Sequence, residues 1–182
     1  MIQLLYILQN LQLFYLLLLL SLIILLYNTI YDPKTNIVFW DELLKIPEFK
    51  ALSETPQNIL WHKEGDAFTH TCMVTKCMLK HIENSNEVLF QDIDYRNILV
   101  FAALLHDIGK PVTTKKEEDG LYHCKDHAIK GVPIAEHILD VYVSDIKPQY
   151  KRAILSLVRC HMQPLYILKQ RDIKSAILRL VN

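Results

Sequence analysis

The stretch FAALLHDIGKP (residues 101–111) decides the fold, because an apolar helical run ends there in a polar pair. The helix is predicted to stop at Gly109 and Pro111, since neither residue readily continues a helix. His106 and Asp107 lie at its end, where an imidazole and a carboxylate both need partners if they are buried. A metal ion is the simplest common partner, so the stretch predicts a metal site. The alternative interpretation is a helix C-cap with His106 near the negative end of the helix dipole.

Three further histidines occur on segments with helical periodicity. They are His70 in the segment 66–82, His127 in 125–143 and His161 in 148–162. Histidine is the commonest neutral metal ligand, and a neighbouring carboxylate supplies the hard oxygen that Mg, Mn or Fe prefers over Zn. Taken alone, His70 is better explained as a core histidine on an apolar helix face than as a ligand. The ordered set, however, predicts a divalent metal centre.

Other residues near these positions leave alternatives open. His123 and His127 are four residues apart, a spacing that clamps a metal if the helix begins early enough; otherwise His123 is a surface residue. The pair Cys160-His161 hints at zinc, but no four-ligand set with finger spacing is present. Lys110 could contact a phosphate, or it could be a solvated lysine just past the helix.

The remaining pattern predicts an all-α protein without a convincing alternating strand. Besides the segments above, helices are expected at 95–108, at 171–181 and, in a short form, from Asp41 to about Phe49. The polar stretch TTKKEEDG (113–120) is expected to be a surface loop beside the site. A chain of 182 residues is enough for one helical domain with a core, and not for two.

Composition excludes some classes of function. The 20 basic and 20 acidic residues give a net charge of zero, and Lys115-Lys116 is the most prominent basic pair. Sequence-independent binding of long nucleic acid is therefore not favoured by charge. The four cysteines include no CxxC pair and are interpreted as reduced cytosolic thiols.

The N-terminus carries a hydrophobic leader, LFYLLLLLSLIILLY at residues 13–27. With residues 4–12 it is long enough to span a bilayer, and no charge precedes Asp32. One interpretation is a membrane anchor; the other is a translation start assigned too far upstream. If the leader inserts, the three lysines that follow it favour a cytoplasmic location for the domain. They are Lys34, Lys45 and Lys50.

The segments WHKEGDAFTHT (61–71), AALLHDIGKP (102–111), HAIKG (127–131) and VRCHM (158–162) together resemble the HD superfamily of metal-dependent phosphohydrolases. They are similar to the HD module of bacterial tRNA nucleotidyltransferases and of proteins joined to polynucleotide-kinase-like domains. The resemblance implies a compact helical bundle around a metal site. Together with the hydropathy pattern, it predicts a leader or possible transmembrane helix (1–31), a lead-in helix with loops (32–60) and the HD domain (61–182).

The resemblance also implies roles for individual residues. His70, His106 and Asp107 would hold the principal ion, and His127 with His161 would hold a second one. The expected cofactor is one or two divalent ions of Mn, Mg, Ni or Fe. Asp107 and Lys110 would serve the reaction, in which water activated by the metal attacks a phosphorus atom. Asp66 could orient His70 or could be the N-cap of its helix.

The chain departs from the family pattern after His161. The resemblance implies a final aspartate on a late helix, whereas the tail of this chain contains only Asp172, which we interpret as an N-cap. We therefore expect an HD domain that lacks its C-terminal end.

Three functions fit this pattern, and the sequence favours the first, that of a metal-dependent phosphohydrolase. The first is hydrolysis of phosphomonoesters, 2′,3′-cyclic phosphodiesters or small nucleotides. The second is a degenerate domain that binds a nucleotide or a tRNA or other RNA end without turnover. The third is a domain with a purely structural metal.

Overall fold

The fold is known from a computed structural model, in which residues 30–143, 146–170 and 172 are described. The helices are α1 (Trp40–Leu43), α2 (Pro47–Ser53), α3 (Ala67–Asn84), α4 (Ile93–Leu105), α5 (Lys110–Thr113), α6 (His127–Tyr142), α7 (Pro148–Cys160) and α8 (Gln163–Leu168), with a 3₁₀ turn at Val88–Gln91. The strands are β1 (Tyr31–Asp32), β2 (Ile37–Val38), β3 (Lys115–Lys116) and β4 (Tyr122–His123). The protein is all-α in class.

Helix α4 packs against both α3 and α7. Its sequence is apolar along most of its length, and Val100, Leu104 and Leu105 are fully buried. Asp92 begins the helix by accepting hydrogen bonds from the backbone amides of Asp94 and Tyr95. Because α4 is enclosed by its neighbours, the residues that follow its last turn emerge inside the protein rather than at the surface.

Helix α3 is positioned by a cap and by small side chains. The Asp66 carboxylate accepts a 2.8 Å hydrogen bond from the amide of Thr69, which confirms the N-cap interpretation. Ala67, Thr71 and Thr75 recur every four residues and are fully buried, so α3 packs closely against its neighbours. His70 therefore lies in the first turn of a firmly held helix.

Helix α6 approaches the turn after α4 through two glycines. The backbone atoms of Gly109 and Gly131 are so close that a Cβ on Gly109 would lie 2.6 Å from the Gly131 nitrogen and 2.2 Å from the His127 carbonyl oxygen. Only a residue without a side chain allows this contact. The glycine contact brings the first residue of α6, His127, next to Asp107.

Several boundaries differ from the sequence prediction. The expected helix at 41–49 is two short helices, because Pro47 begins a new one after an extended Ile46. Helix α4 ends at Leu105 rather than at residue 108, and residues 106–109 form a turn before α5. The expected loop at 113–120 instead includes β3, which pairs with β4 in a two-stranded antiparallel hairpin, as β1 does with β2.

The hydrophobic leader lies outside the described residues, apart from Ile30 and Tyr31, which are buried in the core. Among the described residues no helix is long and apolar enough to cross a membrane. The expected helix at 171–181 also lies outside the described part, except for Asp172.

Candidate metal centre

The carboxylate of Asp107 is the centre of a cluster of four imidazoles. Its Oδ2 atom lies 3.1 Å from Nε2 of His106 and 3.7 Å from Nε2 of His70. Its Oδ1 atom lies 3.2 Å from Nε2 of His127 and 3.6 Å from Nε2 of His161. Each carboxylate oxygen thus faces a different pair of histidines. Asp107 would therefore be a ligand common to two ions, one held with His70 and His106 and the other with His127 and His161.

The orientation of three of these rings is set by backbone carbonyls. Nδ1 of His106 lies 2.8 Å from the carbonyl oxygen of Ala103, three residues earlier. Nδ1 of His127 and of His161 make the same contact at 2.7 Å, with the carbonyls of Cys124 and Val158. Because a carbonyl only accepts, each Nδ1 carries a hydrogen. Their Nε2 atoms are therefore directed to the centre, as metal-ligating histidines require.

His70 is oriented differently, by a side chain. Its Nδ1 lies 2.6 Å from Oε1 of Glu64, which comes from the loop before α3. The same oxygen lies 3.1 Å from Nδ1 of His62, and the two imidazole rings meet edge to face at 4.5 Å. Asp66, which the sequence offered as an orienting group, caps the helix instead.

Lys110 is buried under the carboxylate. Its Nζ donates to Oδ2 of Asp107 at 2.7 Å and also to Oε1 of Gln57, and the residue is 4% exposed. The alternative of a solvated capping lysine is therefore wrong. The contact of Lys110 with a phosphate stays a prediction. In this structure its ammonium group offsets the charge of Asp107.

The electrostatics of the cluster follow from this burial. Burial raises the pKa of Asp107. The nearby His106 and Lys110 and the hydrogen bonds from His106 and His127 outweigh that effect, so the pKa lies well below its usual value. Burial lowers the pKa of His127, yet hydrogen bonds to Asp107 and Cys124 overcome that effect and raise it to about 10. Burial lowers the pKa of His161 to about 4. Of this pair of histidines, His127 is therefore the charged member at pH 7 and His161 the neutral one.

His123 does not join the centre. It lies in β4, before α6 begins, and its Nε2 contacts Oδ2 of Asp119 at 2.8 Å on the surface of the hairpin. The interpretation of His123 and His127 as an i, i+4 clamp on one helix is therefore wrong. The helix starts too late, because Asp126 takes a left-handed conformation just before it.

The donor atoms fit divalent metals. Two groups have their ligand atoms within 4.8 Å of one another and share Asp107: one is His70, His106 and Asp107, the other Asp107, His127 and His161. Nitrogen donors with a carboxylate suit Mn, Fe, Ni or Zn, and this donor set does not select one of them. A third such group is formed by His62, Glu64 and His70.

The sequence pattern gave no role to Gln57, which contacts Lys110, or to His62, which contacts Glu64. His62 and Glu64 stand two apart in HKEGD, and this H-x-E spacing just before His70 is a signal that could have identified them. Nothing local to Gln57 indicates its role, since Lys110 is 53 residues away.

Comparison with known proteins places this cluster in a family. The model of the HD domain family matches residues 67–180. The chain is 38% identical over 74 residues to a dihydroneopterin 2′,3′-cyclic phosphate phosphodiesterase from Methanocaldococcus jannaschii, a match that covers 40% of this chain and 29% of that protein. No solved structure matches the chain significantly.

Two further relatives are multifunctional CCA proteins. That of Actinobacillus pleuropneumoniae serotype 5b is 36% identical over 95 residues, or 50% of this chain and 20% of the relative. That of Shewanella frigidimarina is 33% identical over 96 residues, or 53% of this chain and 20% of the relative. The matches thus span less than a third of each relative. The family match, which covers more than half of this chain, shows that it belongs to the HD domain family.

Proposed function

We propose that this chain is a metal-dependent phosphohydrolase whose centre is Asp107. The observation that carries the proposal is the placement of four imidazole Nε2 atoms within 3.7 Å of the two oxygens of this carboxylate. Membership of the HD domain family and the similarity to a cyclic phosphate phosphodiesterase support the same activity. A bound divalent ion would supply a Lewis acid for a phosphoryl oxygen and lower the pKa of water.

Under this proposal the residues divide into ligands and supports. His70, His106 and Asp107 would hold the principal ion, and His127 with His161 would hold a second ion through the other oxygen of Asp107. Lys110 would keep the shared carboxylate ionised and in place through its 2.7 Å contact. Because it is buried and already paired, a direct contact with the substrate phosphate would require Lys110 to leave Asp107.

The substrate class that we propose is a small phosphate ester, either a phosphomonoester or a 2′,3′-cyclic phosphodiester of a nucleotide. The named substrate of the phosphodiesterase relative is a 2′,3′-cyclic phosphate. The similarity to multifunctional CCA proteins makes the end of a tRNA or another RNA a second candidate of the same chemistry. Mn, Mg, Ni and Fe, the ions that the resemblance implies, are the metals to be tried first, and Zn is tried beside them because the donor set also suits it.

Metal content and hydrolysis together test the proposal. The parent chain and three single variants of it are purified: His106→Ala, Asp107→Ala and His137→Ala. His137→Ala is the matched control, because His137 is exposed. Bound ions are counted, and hydrolysis of 2′,3′-cyclic AMP and p-nitrophenyl phosphate is followed with each metal. We expect one or two ions and turnover in the parent chain and the control. Turnover should be lost in both other variants, with every ion lost in Asp107→Ala and the principal ion lost in His106→Ala. Turnover that persists in both variants would refute the proposal.

The same experiment addresses a binding function without catalysis. Among the described residues, Asp107 is the one carboxylate common to both metal groups, so each ion would have a single acidic ligand from that part of the chain. Bound metal and measurable affinity for 2′,3′-cyclic AMP, with no turnover under any metal, would favour a nucleotide-binding domain instead.

A further inference from the structure

His70 is the one histidine around Asp107 whose second nitrogen is held by a side chain. His106 and His161 follow the ends of α4 and α7, where the carbonyl three residues earlier is free to accept from Nδ1. His70 lies in the first turn of α3, and the carbonyl three residues earlier, that of Ala67, already accepts from Thr71. An acceptor for Nδ1 of His70 must therefore come from outside the helix.

Glu64 provides this acceptor from a tightly held loop. Gly65 takes a left-handed backbone conformation (φ +99°), and its carbonyl accepts a 3.0 Å hydrogen bond from the amide of Gln57. The amide of Ala67 donates to the carbonyl of Thr55, which fixes the other end of the loop against α3. The Glu64 side chain is only 14% exposed, so its 2.6 Å contact with His70 is little weakened by water.

The geometry around His70 decides whether Glu64 supports its ring or forms a third metal site with it and His62. His62, Glu64 and His70 could hold an ion, but that ion would need the lone pair of His70 Nδ1. Nε2 of the same ring faces Asp107, where the proposed principal ion needs its lone pair. A neutral imidazole has one lone pair and one N–H, so it cannot ligate both ions. Donation from Nδ1–H to Glu64 leaves Nε2 free, which satisfies both contacts.

We infer that Glu64 is a positioning residue that fixes the tautomer and ring orientation of His70 toward the metal. The inference rests on the proposed function, because it assumes that His70 is a ligand. Supports of this kind typically change metal affinity about 10–100-fold when they are removed. His62 donates to the same oxygen and packs against the His70 ring, so it limits the movement of the Glu64 carboxylate.

Three variants of the full chain separate positioning from folding. Glu64→Ala removes the acceptor, and Glu64→Gln keeps an oxygen in its place without the charge. Asp66→Ala is the matched control from the same loop, because it removes the helix cap and leaves the acceptor of His70 intact. Affinity for Mn²⁺ is measured from the electron paramagnetic resonance signal of the free ion, and thermal unfolding is recorded for each protein.

We expect Glu64→Ala to weaken Mn²⁺ binding about 10–100-fold and Glu64→Gln to restore most of it. Asp66→Ala should lower the unfolding temperature with a much smaller effect on affinity. Equal Mn²⁺ affinity in Glu64→Ala and the parent chain would overturn the inference.

A second readout needs no metal. The ¹⁵N chemical shifts of the His70 ring, recorded on the metal-free protein, report which nitrogen carries the hydrogen. We expect Nδ1–H in the parent chain and in Glu64→Gln, and a mixture of tautomers in Glu64→Ala. A parent chain that binds no metal would refute the proposed function, whereas an Nε2–H tautomer in the parent chain would refute the role of Glu64.

Discussion

His127 and His161 face each other with their Nε2 atoms 3.0 Å apart, although they are separated by 34 residues in the chain. Both Nδ1 atoms are held by carbonyl oxygens, so one ring must donate from Nε2 and the other must accept. His127, with its pKa raised to about 10, is the donor, and His161, with its pKa lowered to about 4, is the acceptor. A proton thus occupies the place proposed for the second ion.

The first prediction is that binding of an ion at this pair releases a proton. The pKa of His127 is raised, so it is protonated at pH 7 and must lose its Nε2 proton before it can ligate a metal. The affinity of this pair for Mn²⁺ should therefore rise about tenfold per pH unit from pH 7 toward 10. Calorimetric titration of Mn²⁺ in buffers with different ionisation enthalpies measures the release. Identical heats in all buffers would contradict the prediction.

The second prediction concerns the number of ions lost in each variant. Asp107 belongs to both groups of ligands, so Asp107→Asn should abolish binding of both ions. His161→Ala should remove only the ion on the Oδ1 side and leave that held by His70 and His106. Ions per chain are counted by mass spectrometry of the metal after gel filtration. If His161→Ala lost every ion, the two groups would not be separate sites.

The third prediction is that Lys110 stabilises the metal-free protein through Asp107. Lys110→Met leaves a buried carboxylate without its lysine partner, and we expect a loss of about 3–5 kcal/mol in the free energy of unfolding. Saturating Mn²⁺ should recover part of this loss, since the ion supplies positive charge. Lys125→Met is the control, because Lys125 pairs with Glu117 at the surface and contributes little. Urea unfolding measures all three proteins, and equal losses in both variants would contradict the prediction.

The fourth prediction concerns the glycine contact between the turn after α4 and α6. Gly109→Ala would place a Cβ 2.2 Å from the carbonyl oxygen of His127, so α6 must move away. We expect a loss of about 1–3 kcal/mol in stability and weaker binding of the second ion, because His127 moves with the helix.

Gly120→Ala is the control for that variant. A Cβ there meets nothing within 4 Å, although the backbone is left-handed (φ +77°). The strain lowers stability by about 1–2 kcal/mol but lies in the hairpin, so binding of metal should not change. Urea unfolding and Mn²⁺ titration distinguish the two variants. Unchanged binding of both ions in Gly109→Ala would show that the contact does not position His127.

Periodicity and local chemistry account for what the sequence by itself determined. Apolar residues at helical spacing are sufficient to predict the helices that became α3, α4, α6 and α7, since helical hydrogen bonds join residues only four apart. The His106-Asp107 pair at the end of an apolar run indicated a metal centre. Periodicity did not predict that a new helix begins at Pro47 or that β3 and β4 form a hairpin. Elements this short depend on their turns and are too brief to show a period.

Only the tertiary structure decided how the centre is built. The sequence did not show that the two oxygens of Asp107 face different pairs of histidines, or that Glu64 rather than Asp66 supports His70. It also did not show that Lys110 is buried against Gln57, 53 residues away. Each of these contacts joins atoms from separate elements of the chain. The packing of the helices decides whether such atoms come within hydrogen-bond distance of one another. The pattern of residues determined which groups could meet, and the packing of α4 against its neighbours determined which atoms did.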